Sequence, residues 1–187
     1  MTKKEWILWI ASLLIVIVSN LFSSDFDLLT LVAALVGVTS LIFAAKGNVW
    51  AQILMIVFSI LYGIISYRFR YWGEMITYLG MTLPMAVWST ITWLRHPSGS
   101  DGSEVEIQVL HRTHLLCVGG VSVIVTFVFY LILAALDTPN IVFSTISVVT
   151  SFLAAALTML RSSYYALGYA SNDIILIVMW VLASIEN

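Results

Sequence analysis

One cysteine, Cys117, and three prolines stand among 187 residues, of which only 10% are charged. A single thiol excludes an internal disulfide framework. Soluble domains carry about 25% charged residues, and this chain combines far fewer with 61% hydrophobic ones, which excludes an ordinary water-soluble fold. Eight Lys and Arg against ten Asp and Glu leave a net charge of −2, so the basic footprint of a nucleic-acid binder is missing. Catalytic signatures are missing too: there is no Gly-x-Ser-x-Gly, no Gly-rich phosphate loop ending in Gly-Lys and no His-Glu-x-x-His. The chain is not expected to be an enzyme. His111, His114 and Cys117 are spaced by three but read as a helix-entry histidine pair beside one buried thiol, so neither a metal nor a cofactor is expected.

What is present is a series of long apolar blocks, each about the 17–25 residues that cross a bilayer as a helix. They predict an all-α, polytopic membrane helix bundle with seven transmembrane helices: Trp6–Phe22, Leu28–Ala45, Trp50–Tyr67, Met75–Leu94, Leu115–Leu136, Ile141–Leu160 and Tyr164–Ile185. The runs are continuous rather than alternating, which separates them from barrel strands. The first follows Lys3 and Lys4 and resembles a signal peptide, but no small-x-small cleavage site precedes Asp25, and it is read as a retained helix. Lys3, Lys4, Lys46, Arg95, Arg112 and Arg161 fall on the side of the N-terminus, and only Arg68 and Arg70 on the other. The positive-inside rule therefore puts the N-terminus in the cytoplasm, and Asp25, Asp27 and Asp137 outside. That asymmetry, together with the family resemblance given below, places the chain in a plasma or inner membrane.

The stretch 95–114 is read as a cytoplasmic connector, since Pro97-Ser98-Gly99-Ser100-Asp101-Gly102-Ser103 has loop chemistry. Val38-Thr39-Ser40 in the second span recurs as Val149-Thr150-Ser151 in the sixth, each ahead of an Ala-rich stretch. A basic residue then precedes an aromatic by four positions in both halves, Lys46 to Trp50 and Arg161 to Tyr165. This predicts two parallel repeats: an extra helix over 1–27, a first three-helix repeat over 28–94, a linking helix over 115–139 and a partial second repeat over 140–187. The still-apolar ending at Ile185 predicts that the second repeat lacks its last helix.

Polar groups inside the spans mark candidate sites, because each is costly in hydrocarbon unless it faces a cavity or another helix. Gln52, Ser59, Tyr62 and Ser66 share one face of the third span, and Glu74, Tyr78, Met81, Met85, Trp88 and Thr92 form a stripe on the fourth. Tyr165, Tyr169, Asn172, Asp173 and Trp180 lie on one broad face of the seventh. Trp6, Trp9, Tyr71, Trp72 and Trp93 read as headgroup anchors, a reading open to Trp50 as well. Ala33-x-x-x-Gly37 and Ser151-x-x-x-Ala155 read as helix-packing pairs. Glu74 has two readings, a binding carboxylate or a salt bridge to Arg70 four residues earlier, whereas Asp173 is assigned to a cavity. Pro84 is expected to kink the fourth span, as a hinge or as a packing adjustment.

Gly47-Asn48-Val49-Trp50, Ile60-Leu61-Tyr62 and Arg70-Tyr71-Trp72-Gly73-Glu74-Met75 through Trp88 and Trp93 resemble the first repeat of PnuC-type nicotinamide riboside transporters. Arg161, Tyr164-Tyr165 and Asn172-Asp173 resemble the start of their second. The resemblance implies a SWEET-like pair of three-helix bundles joined by a linking helix, with the vitamin precursor bound near mid-membrane. It implies uptake by facilitated diffusion and trapping inside by a separate kinase. The substrate-binding residues it implies are Trp50, Tyr62, Tyr78, Trp88, Asn172, Asp173 and Trp180, to which Gln52 is added for its donor and acceptor groups and Glu74 as a counter-charge to the pyridinium. Family members often carry a glutamine in the helix matching the fourth span. None stands here between Glu74 and Trp93, which keeps thiamine or another vitamin precursor as the alternative substrate. A non-transporting binding or sensor subunit and a purely structural scaffold are the readings from other classes. The expected partners are a small-molecule substrate and the lipid bilayer, with a homo-oligomer left open and no nucleic acid.

Overall fold

The computed structural model describes residues 2–22, 26–98, 104–138 and 140–186, and within the last helix the side chains only through 178 and at 181. Asp25 and the side chain of Trp180 therefore lie outside the described residues. The chain divides into two compact units, Met1–Val105 and Glu106–Asn187, and each is built almost wholly of helices.

In the first unit, α1 (Lys3–Leu21) starts at a capping box in which Thr2 and Glu5 satisfy each other's backbone N–H groups. It lies against α2 (Leu28–Ala45), where the Trp9 indole N–H donates to Thr39 Oγ1 at 3.3 Å and Glu5 pairs with Lys46 at 3.6 Å. Asp27 caps α2, its carboxylate accepting from the Thr30 N–H at 3.1 Å and the Thr30 hydroxyl at 2.7 Å. Those bonds, with a smaller contribution from Arg68, hold the Asp27 carboxyl below its ordinary value of 3.8. A lowered folded value means that the cap's stabilisation is complete above 3.8 and is lost as pH falls through the folded value. Thermal unfolding followed from about pH 6 down to about pH 2 should show an acid limb that is shallower in Asp27→Asn.

The turn from α2 into α3 (Trp50–Arg68) passes through Gly47 at φ +63°, a left-handed conformation that a Cβ disfavours. The Gly47 and Asn48 N–H groups return to the Ala44 and Phe43 carbonyls, and Asn48 Oδ1 accepts from the Trp50 N–H. A second left-handed residue, Arg70 at φ 59°, turns the chain from α3 into the next rod. That rod runs unbroken from Trp72 to Arg95 as α4 (Trp72–Ile76), a π-helical segment (Thr77–Thr82) and α5 (Leu83–Arg95). Pro84, in the first turn of α5, has no N–H for the Gly80 carbonyl, and its ring crowds that oxygen. The chain answers with a widened turn in which the Leu83 N–H reaches back five residues to Tyr78. The sequence-predicted single span from Met75 is therefore three residues longer at its start and carries a π-turn in its middle.

In the second unit, α6 (Arg112–Ala135) packs on α7 (Ile141–Met159), and α7 packs on α8 (Tyr165–Glu186). His111 and His114 close the start of α6 as a reciprocal cap, and Cys117 is exposed rather than buried. The α7–α8 turn repeats the hydrogen bonds of the α2–α3 turn. Arg161 is left-handed at φ 56°, the Arg161 and Ser162 N–H groups return to Thr158 and Leu157, and Ser162 Oγ accepts from the Tyr164 N–H. The backbone thus aligns Gly47 with Arg161 and Trp50 with Tyr164, one residue away from the sequence match of Lys46 with Arg161. Charge drew the sequence match; the left-handed residue sets the geometric one.

The connector also forms structure that the sequence reading left as loop. Pro97–Ser98 pairs antiparallel with Glu104–Val105, and the Val105 N–H donates to the Gly47 carbonyl at 2.9 Å. In the second unit the Gln108 N–H donates to the Arg161 carbonyl at 3.0 Å, while the Arg161 guanidinium reaches the Glu106 carbonyl and Gln108 Oε1, each at 3.2 Å. Among the described residues, five helices (α1, α2, α3, α6 and α7) are long and apolar enough to cross a membrane by length and composition.

Candidate functional site

In the first unit the site grows from two glycines. A Cβ on Gly37 would meet the Phe58 ring at 3.1 Å, so α2 offers the notch against which Phe58 lies. A Cβ on Gly63 would fall within 2.6 Å of Leu79, so its absence lets the π-helical segment approach α3 closely. Tyr62, next to Gly63, and Tyr78, next to Leu79, consequently meet with ring centroids 4.3 Å apart. Phe58 completes the group, stacked on Tyr62 at 5.6 Å and edge-on to Tyr78 at 5.7 Å. Glu74 is four residues before Tyr78 on the same rod, one helical turn earlier.

The salt bridge of Glu74 to Arg70 is not formed. Among the described residues the ion pairs are Lys46–Glu5, Arg68–Asp27 and Arg161–Glu106. Arg70 is held in its left-handed turn and Arg68 is turned toward Asp27 at 4.0 Å. Gln52 is only 4% exposed, in line with the equally buried Ser59 and Ser66 at seven-residue intervals. Ser59 satisfies itself on the Met55 carbonyl, and Ser40 of α2 donates to the Ala51 carbonyl of α3.

The second unit gathers a different set. Asn172 is 8% exposed, and its Oδ1 accepts from both Thr150 Oγ1 at 2.9 Å and Ser151 Oγ at 2.8 Å, tying α8 to α7. Asp173 follows Asn172 but is turned to the exposed side of the unit.

The sequence-selected residues therefore separate into groups. Tyr62 and Tyr78 come together, with Glu74 one turn before Tyr78, and Asn172 joins Thr150 and Ser151, the second of which sequence reasoning assigned to packing. Trp50 is 56% exposed at the start of α3, the position of a headgroup anchor, and Trp88 is 59% exposed on α5. Phe58 was missed because an apolar ring in an apolar helix carries no polar signal; the small Gly37 facing it was the readable hint.

The profile of the nicotinamide mononucleotide transporter family matches residues 27–185, beginning at the cap of α2 and leaving α1 outside. A curated nicotinamide riboside transporter PnuC from Neisseria mucosa is 28% identical over 160 residues, covering 83% of this chain. The chain spans about 60% of that relative's length. A crystal structure of the vitamin B3 transporter PnuC superposes with a TM-score of 0.83 at 26% identity, over 100% of this chain and 80% of that one. With all but its first helix inside the matched span and the fold shared along its whole length, the chain belongs to the nicotinamide mononucleotide transporter family.

Proposed function

We propose that this multi-pass membrane protein takes up nicotinamide riboside by facilitated diffusion, and that a separate kinase traps the riboside inside. The observation that carries the reading is the family match over 27–185 together with the whole-chain likeness to PnuC. The proposal includes seven spans, the fourth being the π-interrupted rod and the seventh α8, with the N-terminus in the cytoplasm of a plasma or inner membrane. The six basic residues on that side support this orientation. It also includes parallel repeats, in the SWEET-like sense, flanking α6 as a linking helix. The matching hydrogen bonds around Gly47 and Arg161 support this part. Substrate contacts are assigned to Tyr62, Tyr78 and Glu74 in the first unit and to Asn172, Asp173 and Trp180 in the second, with Gln52 offering an amide to ribose hydroxyls or carboxamide.

Uptake of labelled riboside into protein-containing liposomes tests the proposal. Saturable entry that stops at equal concentrations inside and out is expected, with accumulation only when a riboside kinase and ATP are enclosed. Entry of thiamine instead would transfer the reading to another vitamin precursor. Saturable binding without entry would make the chain a membrane sensor and sink the transport proposal.

A further inference from the structure

We infer that the segment Glu104–Gln108 is a clasp that ties the α2–α3 turn to the α7–α8 turn and limits how far the two turns can part during transport. The restraint stands on hydrogen bonds made within each unit, and its effect on transport rests on the reading proposed above.

The two units repeat their helix ends at a constant spacing. Helices α1 and α6 end at Leu21 and Ala135, α2 and α7 at Ala45 and Met159, and the left-handed residues that follow are Gly47 and Arg161, so the members of each pair are 114 residues apart. In both turns the N–H of the left-handed residue returns to its own helix, to the Ala44 or the Thr158 carbonyl. The carbonyl of that residue lies past the last helical turn and needs a donor from outside the helix. Both carbonyls find it in the connector: the Val105 N–H donates to Gly47 at 2.9 Å and the Gln108 N–H to Arg161 at 3.0 Å. One short segment thus uses the same acceptor in each repeat.

The two anchors differ in chemistry. At the first turn the hold is backbone and apolar: Glu104 forms an antiparallel bridge with Asn48, and Val105 is buried, its Cγ1 3.5 Å from where a Cβ on Gly47 would stand. At the second the hold is charged. Arg161 adopts a left-handed conformation that its Cβ disfavours, at the position where the first turn has glycine. Its side chain supplies the compensation, because the largely buried guanidinium donates to the Glu106 carbonyl and to Gln108 Oε1 and stands 3.9 Å from the Glu106 carboxylate. Val105 and Gln108 are three residues apart, and an extended chain of that length reaches at most about 11 Å. The turns can separate beyond that reach only when one anchor lets go. Alternating access moves one repeat against the other, and the clasp limits that motion at the end of the membrane that carries both turns.

The test uses the full chain in a Cys117→Ser background, with spin labels on Ala45→Cys and Ser163→Cys, both exposed beside their turns. The distance distribution between the labels is compared with and without Gly-Ser-Gly-Ser inserted between Val105 and Glu106, which lengthens the clasp and keeps every anchoring group. The insertion should extend the distribution to distances longer by up to about 14 Å, the reach of four extended residues. The same insertion after Ser100, upstream of both anchors, should leave it unchanged. Arg161→Gly, which keeps a left-handed turn and removes only the guanidinium, should extend it less, since the bond from the Gln108 N–H remains. Unfolding temperatures confirm that each variant is folded. In liposomes, riboside entry should quicken by about threefold or more with the clasp lengthened, at an equilibrium affinity within about twofold of wild type. A distribution unchanged by the clasp insertion overturns the inference, as does equal broadening by the Ser100 insertion. Broadening with an unchanged entry rate overturns the role in transport. Broadening in a protein whose wild type admits no riboside keeps the clasp and removes the transport reading.

Discussion

Gly168→Ala should lower the stability of the protein by about 2 kcal/mol, whereas Gly119→Ala should raise it by up to about 1 kcal/mol. Both substitutions add one methyl group to a helix and gain the same intrinsic propensity, so the neighbours decide the sign. At Gly168 a Cβ would stand 2.8 Å from Ala154 Cα and 3.1 Å from its Cβ. The first of these is backbone, which cannot rotate aside, and relief requires α8 to move away from α7. Overpacking of this kind costs about 1–3 kcal/mol and belongs at the upper end where main chain is the obstacle, leaving the net loss after the propensity gain. The displacement would also stretch the bonds from Thr150 and Ser151 to Asn172. At Gly119 on α6 nothing lies within 4 Å of the added atom, and only the propensity gain remains. Reversible unfolding in detergent, with both variants beside wild type, checks the pair; equal effects would mean that the α7–α8 approach is not close.

The helix boundaries were legible because apolar runs and their flanking caps are local properties. The second span, Leu28–Ala45, has the bounds read from sequence, and the others differ by three residues or fewer at either end. Tertiary approach was not legible in the same way. Ser151-x-x-x-Ala155 pointed to the correct helix, and Ser151 does bond Asn172 of α8, but the closest backbone approach falls on Ala154, because the glycine on α8 chooses which residue of α7 it meets. Pro84 announced a disturbance in the fourth span without giving its form, since a missing donor can be met by a kink, a water or a widened turn. The π-turn is the outcome that the packing of Leu79 against Gly63 accompanies, and it is what aims Tyr78 at Tyr62. At the site, residues with polar atoms were found and Phe58 was not. Trp50 and Trp88 were selected for their ring chemistry, yet helix position leaves both on exposed faces of the first unit.

Asn172→Ala should cost about 1–2 kcal/mol of stability before any question of substrate arises, because its side chain is already engaged. Its oxygen accepts from two hydroxyls on α7, and interhelical hydrogen bonds in membranes average about 0.6 kcal/mol each. Loss of side-chain volume at a buried position adds the rest. The two donors differ in what remains to them. Thr150 Oγ1 also reaches the Ile146 and Ser147 carbonyls, each at 3.0 Å, and keeps a partner when Asn172 is removed. Ser151→Ala should therefore couple more strongly to Asn172→Ala than Thr150→Val does, and a double-mutant cycle on unfolding free energies reads that difference. The amide nitrogen is the part of Asn172 left for a carboxamide or ribose oxygen. Asn172→Asp keeps the acceptor for Thr150 and Ser151 while removing the donors, so it separates the two roles. Riboside affinity that falls in Asn172→Asp beyond its change in stability assigns the nitrogen to substrate; affinity that follows stability through all four substitutions makes Asn172 a tie between α7 and α8 alone.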